Sequence, residues 1–280
     1  MNKIAFIGLG NMGAPMAARL VERGVNVVGW DNSTAALDAF ASSGGQVADS
    51  LEAALRGAAG VAIAVWSLSA VEEVTKVVFA MLPPKATTII HSTIAPAEML
   101  QLARAASEQG IECIDVMVSG GAPAARDGRL TFIAGGIQTA PAGWEAYFEA
   151  LAGKIYFVGP AGAGCAAKLA NNIMLFVNNT AILEAVKFAR QFGVAEETVI
   201  EVASASTGRS WSTDMWDFQG DLVRDRLAKS NTLDVDFLVK DLELACKAAG
   251  ESGFRLELSE ACVDLMPAYY RDRFADESQI

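Results

Sequence analysis

The chain has 280 residues, 52% of them hydrophobic, and a net charge of -11. It can bury a sizeable core, but it carries no general field to draw in nucleic acid or an anionic membrane. Four scattered cysteines without CxxC spacing and one histidine, His91, point to reduced thiols and argue against a His-rich metal centre or a Ser-His-Asp triad.

In chain order, apolar runs rich in β-branched residues predict strands at KIAFIG (3–8), VNVVGW (25–30), VAIAVW (61–66), TTIIHS (87–92), ECIDVMV (112–118), LTFIAGG (130–136) and IYFVG (155–159). Helical patterns separate several of them. In residues 13–24, for example, Met16, Ala17, Leu20 and Val21 form one apolar face. This alternation predicts a parallel sheet covered on both faces. From Gly164 to about Phe192 no turn signal interrupts the helical spacing of Leu169, Ile173, Phe176, Val177, Ala181 and Leu183. Further helical stretches follow at 195–206, 233–252 and 259–274, and residues 275–280 read as a frayed polar tail. The expected architecture is an α/β domain over 1–160 followed by an all-helical domain over 161–280. No apolar run is long enough to span a membrane and no signal-peptide pattern opens the chain, so the expected location is cytoplasmic.

The first predicted strand runs into Gly8-Leu9-Gly10-Asn11-Met12-Gly13, with a helix expected from about Asn11. In that setting Gly8 permits a tight turn, Gly10 lets the backbone approach a pyrophosphate, and Gly13 allows close helix–sheet packing. The helix N-terminus adds free N–H groups and a positive dipole end. Asp31, after the second strand, lies near the usual distance for a carboxylate on the adenosine ribose; no Arg or Lys follows, so NAD is expected over NADP. The plainer alternative is that Asp31 starts a loop or caps the next helix.

Ser119-Gly120-Gly121 follows a strand and offers converging N–H groups to an anion such as a carboxylate, though a glycine pair there is often a turn. Lys168 and Asn172 sit four residues apart on the long helix, among apolar neighbours. Burial would lower the lysine pKa and fit it for proton transfer; the alternative is a solvated surface lysine. Lys240 either reaches a ligand or forms an i,i+4 pair with Asp236.

Five blocks in this order, FIGLGNMGAPMA, HSTIAP, VSGGAPAARDGRLTFIAGG, GPAGAGCAAKLANN and VKDLELA, run from residue 6 to residue 245. Together they resemble the β-hydroxyacid dehydrogenase family, which includes 3-hydroxyisobutyrate dehydrogenases and tartronate semialdehyde reductases. The resemblance implies a Rossmann-type domain, a long interdomain helix, a helical domain and a homodimer or homotetramer, expected here through residues 161–280. It implies Lys168 as acid/base, Asn172 with Asn171 beside it holding substrate, and Ser119, Gly120 and Gly121 receiving its carboxylate. Thr93 and Lys240 would lie near the nicotinamide end, and Trp211 would line the substrate wall unless it is a core tryptophan. Two departures stand out: Met117 occupies the place of a proline, and His91 that of an aspartate.

The expected activity is NAD-dependent interconversion of a small β-hydroxy acid and its semialdehyde or keto acid, with no metal. The rivals are an NADP-dependent glyoxylate or succinic semialdehyde reductase, an imine reductase of the same fold, and a non-catalytic cofactor-binding module.

Overall fold

A computed structural model describes residues 3–230 and 236–274, side chains of 225–230 and 236–238 excepted. The predicted tail at 275–280 and the start of the predicted helix at 233–235 lie outside the described residues. The chain divides into two compact units, Met1–Lys168 and Leu169–Ile280. The division falls inside one helix.

The first unit contains β1 (Ile4–Ile7), α1 (Gly13–Glu22), β2 (Val27–Trp30), α2 (Thr34–Ser42), β3 (Gln46–Val47), α3 (Leu51–Leu55) and β4 (Gly60–Ile63). It continues through α4 (Leu68–Met81), β5 (Thr87–Ile90), α5 (Pro96–Glu108), β6 (Glu112–Ser119), α6 (Gly121–Asp127), β7 (Leu130–Gly135), α7 (Glu145–Leu151) and β8 (Ala152–Gly159). Helix α8 (Ala163–Arg190) starts in this unit and ends in the next. The second unit adds α9 (Glu196–Ala205), α10 (Trp211–Asp214), α11 (Trp216–Ser230), α12 (Asp236–Glu251) and α13 (Glu257–Arg273). No strand follows Gly159 among the described residues.

The strands form one sheet in the order β3-β2-β1-β4-β5-β6-β7-β8. From β3 to β6 every pairing is parallel. Period-two alternation divides each buried strand between two cores. Ala5 and Ile7 of β1 join a cluster with Val71, Val78 and Met99 from α4 and α5, while Ile4 and Phe6 join Met16, Leu20, Phe148 and Leu151 from α1 and α7. Each fully buried side chain of this size contributes about 1.5–3 kcal/mol. Both sheet faces are thus covered, as a parallel sheet requires.

Three expectations change. The sheet is mixed, because β7 runs antiparallel to β6 and β8 runs parallel to β7. The link at 120–129, with its seven-residue α6, is shorter than a parallel crossover needs, so the chain turns back. Second, α1 starts at Gly13, and Asn11 and Met12 form a turn before it. Third, β3, α10 and α11 carry no signal that periodicity revealed; β3 is two exposed residues.

The two departures from the family pattern point into the core. Met117 is fully buried. His91 is 5% exposed, stacked beside Tyr147 and Phe6. Its Nδ1 lies 2.6 Å from the Val116 carbonyl and its Nε2 2.6 Å from the Tyr147 hydroxyl. A carbonyl only accepts, so Nδ1 carries the proton and Nε2 accepts from Tyr147. Burial holds the imidazole neutral and lowers its pKa to about 4, against the opposing pull of the Val116 carbonyl.

The second unit packs Leu183 and Val186 of α8 against Trp216 and Val223 of α11, Val239 and Leu242 of α12, and Cys262, Met266 and Tyr270 of α13. A polar knot joins the start of α9 to α11 and α13. Glu196 Oε1 accepts from Arg273 Nη2 at 2.6 Å and from Trp216 Nε1 at 2.8 Å, and the Arg273 guanidinium lies 4.2 Å from the Trp216 ring.

Candidate active site

In the first unit the parallel strands aim their C-terminal ends at one edge of the sheet. The strand order reverses between β1 and β4, which creates the crevice where open α/β sheets take ligands. The glycine turn after β1 lies at this crevice. Gly8 has φ +96°, and a Cβ there would sit 2.5 Å from the Ala64 carbonyl oxygen. A Cβ on Gly13 would overlap the Gly8 carbonyl oxygen, so α1 can approach the strand only without a side chain. Gly10 differs: it is exposed, and a Cβ would meet nothing within 4 Å. The turn therefore closes tightly on its protein side and stays open on its solvent side.

Asp31 follows β2 and ties this turn in place. Its Oδ2 accepts the Leu9 N–H at 2.7 Å and its Oδ1 the Ser33 N–H at 2.8 Å. Ser33 in turn caps α2 through its hydroxyl. The capping alternative and the ligand role are compatible, because each carboxylate oxygen keeps a second lone pair.

Two residues absent from the sequence reading brace the neighbouring loops. Ser92 Oγ accepts the Val65 N–H at 2.9 Å, joining the segments after β4 and β5 next to the half-buried Thr93. Asp115 is fully buried in β6; its Oδ1 accepts the Gly162 N–H and its Oδ2 the Cys165 N–H, both at 2.9 Å. One carboxylate thus satisfies donors at the start of α8, where free N–H groups need acceptors. Burial, and next the Asp115 charge, push the Cys113 and Cys165 thiols upward. All four cysteines are free.

The first turn of α8 lies against the loop after β5. A Cβ on Gly162 would sit 2.9 Å from the Pro96 carbonyl oxygen and 3.6 Å from Leu100 Cγ. Lys168, three residues beyond Cys165, is half-buried. Ser119 closes β6 at the same sheet edge; Gly120 has φ +120° and Gly121 opens α6. The first unit therefore brings the glycine turn, Asp31, Thr93 and Ser119-Gly120-Gly121 to one edge of its sheet, and the start of α8 packs against the loop after β5.

The other predicted residues belong to the second unit. Asn172 is 3% exposed, and its Nδ2 donates to Asp241 Oδ2 at 2.6 Å. Asn171 Nδ2 donates to Asn172 Oδ1 at 3.2 Å. Lys240 Nζ lies 3.2 Å from Asp241 Oδ1. That oxygen is buried and makes no hydrogen bond, so the ammonium meets it as a charge rather than along an N–H direction. The alternative Lys240–Asp236 pair falls on a side chain outside the described ones. Trp211 is 46% exposed at the start of α10, which removes the core-tryptophan alternative. Among the described residues no His, Cys, Asp and Glu group has the arrangement of a metal site.

Comparison with known proteins bears on this arrangement. Residues 3–159 match the family model for the NAD binding domain of 6-phosphogluconate dehydrogenase. Residues 162–279 match the model described as NAD-binding of NADP-dependent 3-hydroxyisobutyrate dehydrogenase. An NAD-dependent L-serine dehydrogenase of Pseudomonas aeruginosa is 30% identical, covering 99% of this chain and 95% of the relative. A probable 3-hydroxyisobutyrate dehydrogenase of Mycobacterium tuberculosis is 35% identical over 76% of this chain and 72% of its own length. The structure of Mycobacterium tuberculosis 3-hydroxyisobutyrate dehydrogenase with L-serine superposes with a TM-score of 0.81 at 30% identity, covering 97% of this chain and 94% of that one.

Proposed function

The chain belongs to the β-hydroxyacid dehydrogenase family, and on that premise we propose that it interconverts a small β-hydroxy acid with its semialdehyde or keto acid, using NAD and Lys168 as the acid/base. The observation that supports this reading is the close approach of the start of α8, at Gly162, to Pro96, where the loop after β5 enters α5. It brings the helix that carries Lys168 to the sheet edge where the glycine turn opens.

The residues fit a dinucleotide. The open face at Gly10 leaves room for a pyrophosphate, and Asp31 keeps lone pairs for a ribose hydroxyl. Gly8 to Gly13 and Asp31 would hold the cofactor, with Thr93 and Lys240 toward its nicotinamide end. Bound nicotinamide supplies the hydride acceptor or donor. The chain's own residues do the rest. Lys168 Nζ takes the hydroxyl proton in oxidation and returns it in reduction. The N–H groups of Ser119, Gly120 and Gly121 donate to the substrate carboxylate, and Asn172 adds an amide donor. Asn171 and Trp211 are proposed to complete the substrate's surroundings. Fixing the carboxylate in this way holds the neighbouring carbinol for reaction, so remote binding energy is used for orientation.

The test is a panel of small β-hydroxy acids, L-serine and 3-hydroxyisobutyrate among them, assayed with NAD and with NADP. A carboxylate facing a 2′-phosphate costs a few kcal/mol, so NAD is expected to be favoured by about 10²-fold. Lys168→Ala lowers kcat by about 10²- to 10⁴-fold while NADH affinity holds. Near-normal turnover by that variant would return Lys168 to a surface role, and the absence of activity on every hydroxy acid would favour the binding-module rival. Exposed Phe188, Phe192, Phe254 and Leu258 in the second unit support a homodimer or homotetramer, which light scattering reads directly.

A further inference from the structure

Asp241 took no part in the sequence reading, although it sits beside Lys240 in VKDLELA. We infer that Asp241 is a positioning residue: it fixes which end of the Asn172 side-chain amide faces the substrate, and so restricts the group held there to a hydrogen-bond acceptor such as a carboxylate. This rests on the proposed role of Asn172 in holding substrate. Asn171, Asn172, Lys240 and Asp241 all belong to the second unit.

An asparagine amide has two nearly isosteric ends, a donor and an acceptor, and an unconstrained one can offer either. The end of Asn172 that faces Asp241 is constrained. A carboxylate can only accept, so the 2.6 Å contact with Asp241 Oδ2 requires Nδ2 on that side. Asn171 Nδ2 donates to the opposite end at 3.2 Å. Turning the amide over would set Asn172 Oδ1 against a carboxylate oxygen in a nearly dry place, with Asn172 only 3% exposed, and an unpaired buried polar group costs more there than in water. Among the described residues one N–H on Nδ2 has no partner, and its direction is fixed by the planar amide. A donor with a fixed direction selects an acceptor. It disfavours an ammonium or a carboxamide NH₂ at the same point.

Asp241 is itself held. Its side chain is 16% exposed, and Lys240 Nζ lies 3.2 Å from its Oδ1. That ion pair engages Oδ1 and leaves Oδ2 to the amide. Neighbouring positions on α12 thus act together: Lys240 holds Asp241, and Asp241 holds the Asn172 amide.

The test is a double-mutant cycle on the full-length enzyme with the best hydroxy acid of the panel. Asp241→Leu removes the acceptor and keeps the volume. It is expected to raise KM for the acid about tenfold or more with a smaller change in kcat, and to narrow the discrimination between the acid and its amide. Asp241→Asn restores one acceptor oxygen without enforcing a single amide orientation, and is expected to fall between wild type and Asp241→Leu. In an Asn172→Ala background the Asp241→Asn effect should shrink to within about twofold, since a positioning residue has nothing left to position. The same cost in both backgrounds would assign Asp241 a merely structural part and overturn the inference. If Asn172→Ala leaves KM for the acid unchanged, the substrate role of Asn172 falls and the inference with it. If Asn172→Ala raises KM but neither Asp241 variant does, the inference alone is lost. Should Asp241→Leu fail to fold, the Asp241→Asn arm of the cycle decides.

Discussion

The two units bury polar groups in opposite ways. In the sheet unit the buried polar side chains are nearly all met. Asp115 uses both oxygens on backbone N–H groups, His91 uses both ring nitrogens, and Thr88 Oγ1 is the one buried side-chain atom left without a partner among the described residues. In the helical unit Asn179 Oδ1, Ser212 Oγ, Gln219 Nε2, Asp241 Oδ1 and Arg273 Nη1 are buried and make no hydrogen bond. A sheet buried on both faces settles its backbone donors in the ladder and admits only those side chains that it can satisfy. Helices settle their backbone internally and meet through side chains, so mismatched polar groups collect between them. Each such group costs about 1–3 kcal/mol. Substitutions should therefore separate the two units according to which polar contact they break.

The largest effect is expected in the sheet unit. Asp115→Ala strips acceptors from two backbone N–H groups at the buried start of α8 and opens a small cavity, for a loss of about 3–5 kcal/mol. Urea unfolding followed by a probe in the sheet unit measures it. A loss below about 1 kcal/mol would mean that water replaces the carboxylate and that the site is less dry than its full burial implies. In the helical unit Arg273→Met is expected to cost about 2–3 kcal/mol, because it breaks a largely buried pair but keeps volume against Trp216. Burial alone would raise the Glu196 pKa; the Trp216 and Arg273 hydrogen bonds and the nearby arginine charges outweigh it and hold the carboxyl below its usual range. Arg190 at 3.4 Å and Trp216 remain to Glu196 in the variant, which limits the loss. A cost above that of Asp115→Ala would reverse the ranking of the units.

Acid should likewise act on one unit first. His91 is neutral when folded, with its pKa lowered by burial to about 4 from 6.5. Between those values the unfolded chain binds the extra proton, so the contribution is complete above about pH 6.5 and is lost as pH falls toward 4. Over the whole window the loss is about 3 kcal/mol. Thermal unfolding of the sheet unit at pH 7, 5.5 and 4.5 should show it, and His91→Gln should flatten the dependence in this range. An unchanged slope in the variant would assign acid sensitivity to the carboxylates.

How much was legible in the sequence follows the same division. Buried parallel strands announce themselves as apolar runs, so seven of the eight strands, the glycine turn and Asp31 were readable from their order. Exposed β3 had no such signal. The reversal at β7 was hidden because strand–helix alternation looks the same whichever way the next strand runs; only the short link at 120–129 carried that information. Asp115 was readable in principle: a lone acid in an apolar strand must find partners, yet nothing local says that they lie at Gly162 and Cys165. Asp241 and the Glu196–Arg273 pair depend on residues 69 and 77 positions apart, and a helical period does not report such pairings.

The smallest effect on stability is expected at Gly10, which makes it a sharp probe of the open side of the glycine turn. Gly8 and Gly13 are excluded from substitution by backbone atoms, so loss of binding there would be confounded by loss of fold. At Gly10 an added methyl meets nothing within 4 Å and no left-handed backbone is required. Gly10→Ala should leave the unfolding midpoint unchanged or raise stability by about 0.4–1 kcal/mol, because alanine restricts the unfolded chain. The methyl would nevertheless occupy the space where a pyrophosphate comes against the backbone. NADH affinity, read by fluorescence, is therefore expected to fall about tenfold while the protein stays folded. Unchanged affinity would mean that the cofactor's phosphates do not approach at Gly10, and the open side of the turn would need another explanation. A stability loss of 1 kcal/mol or more would instead show that the turn is closed on both sides in the free protein.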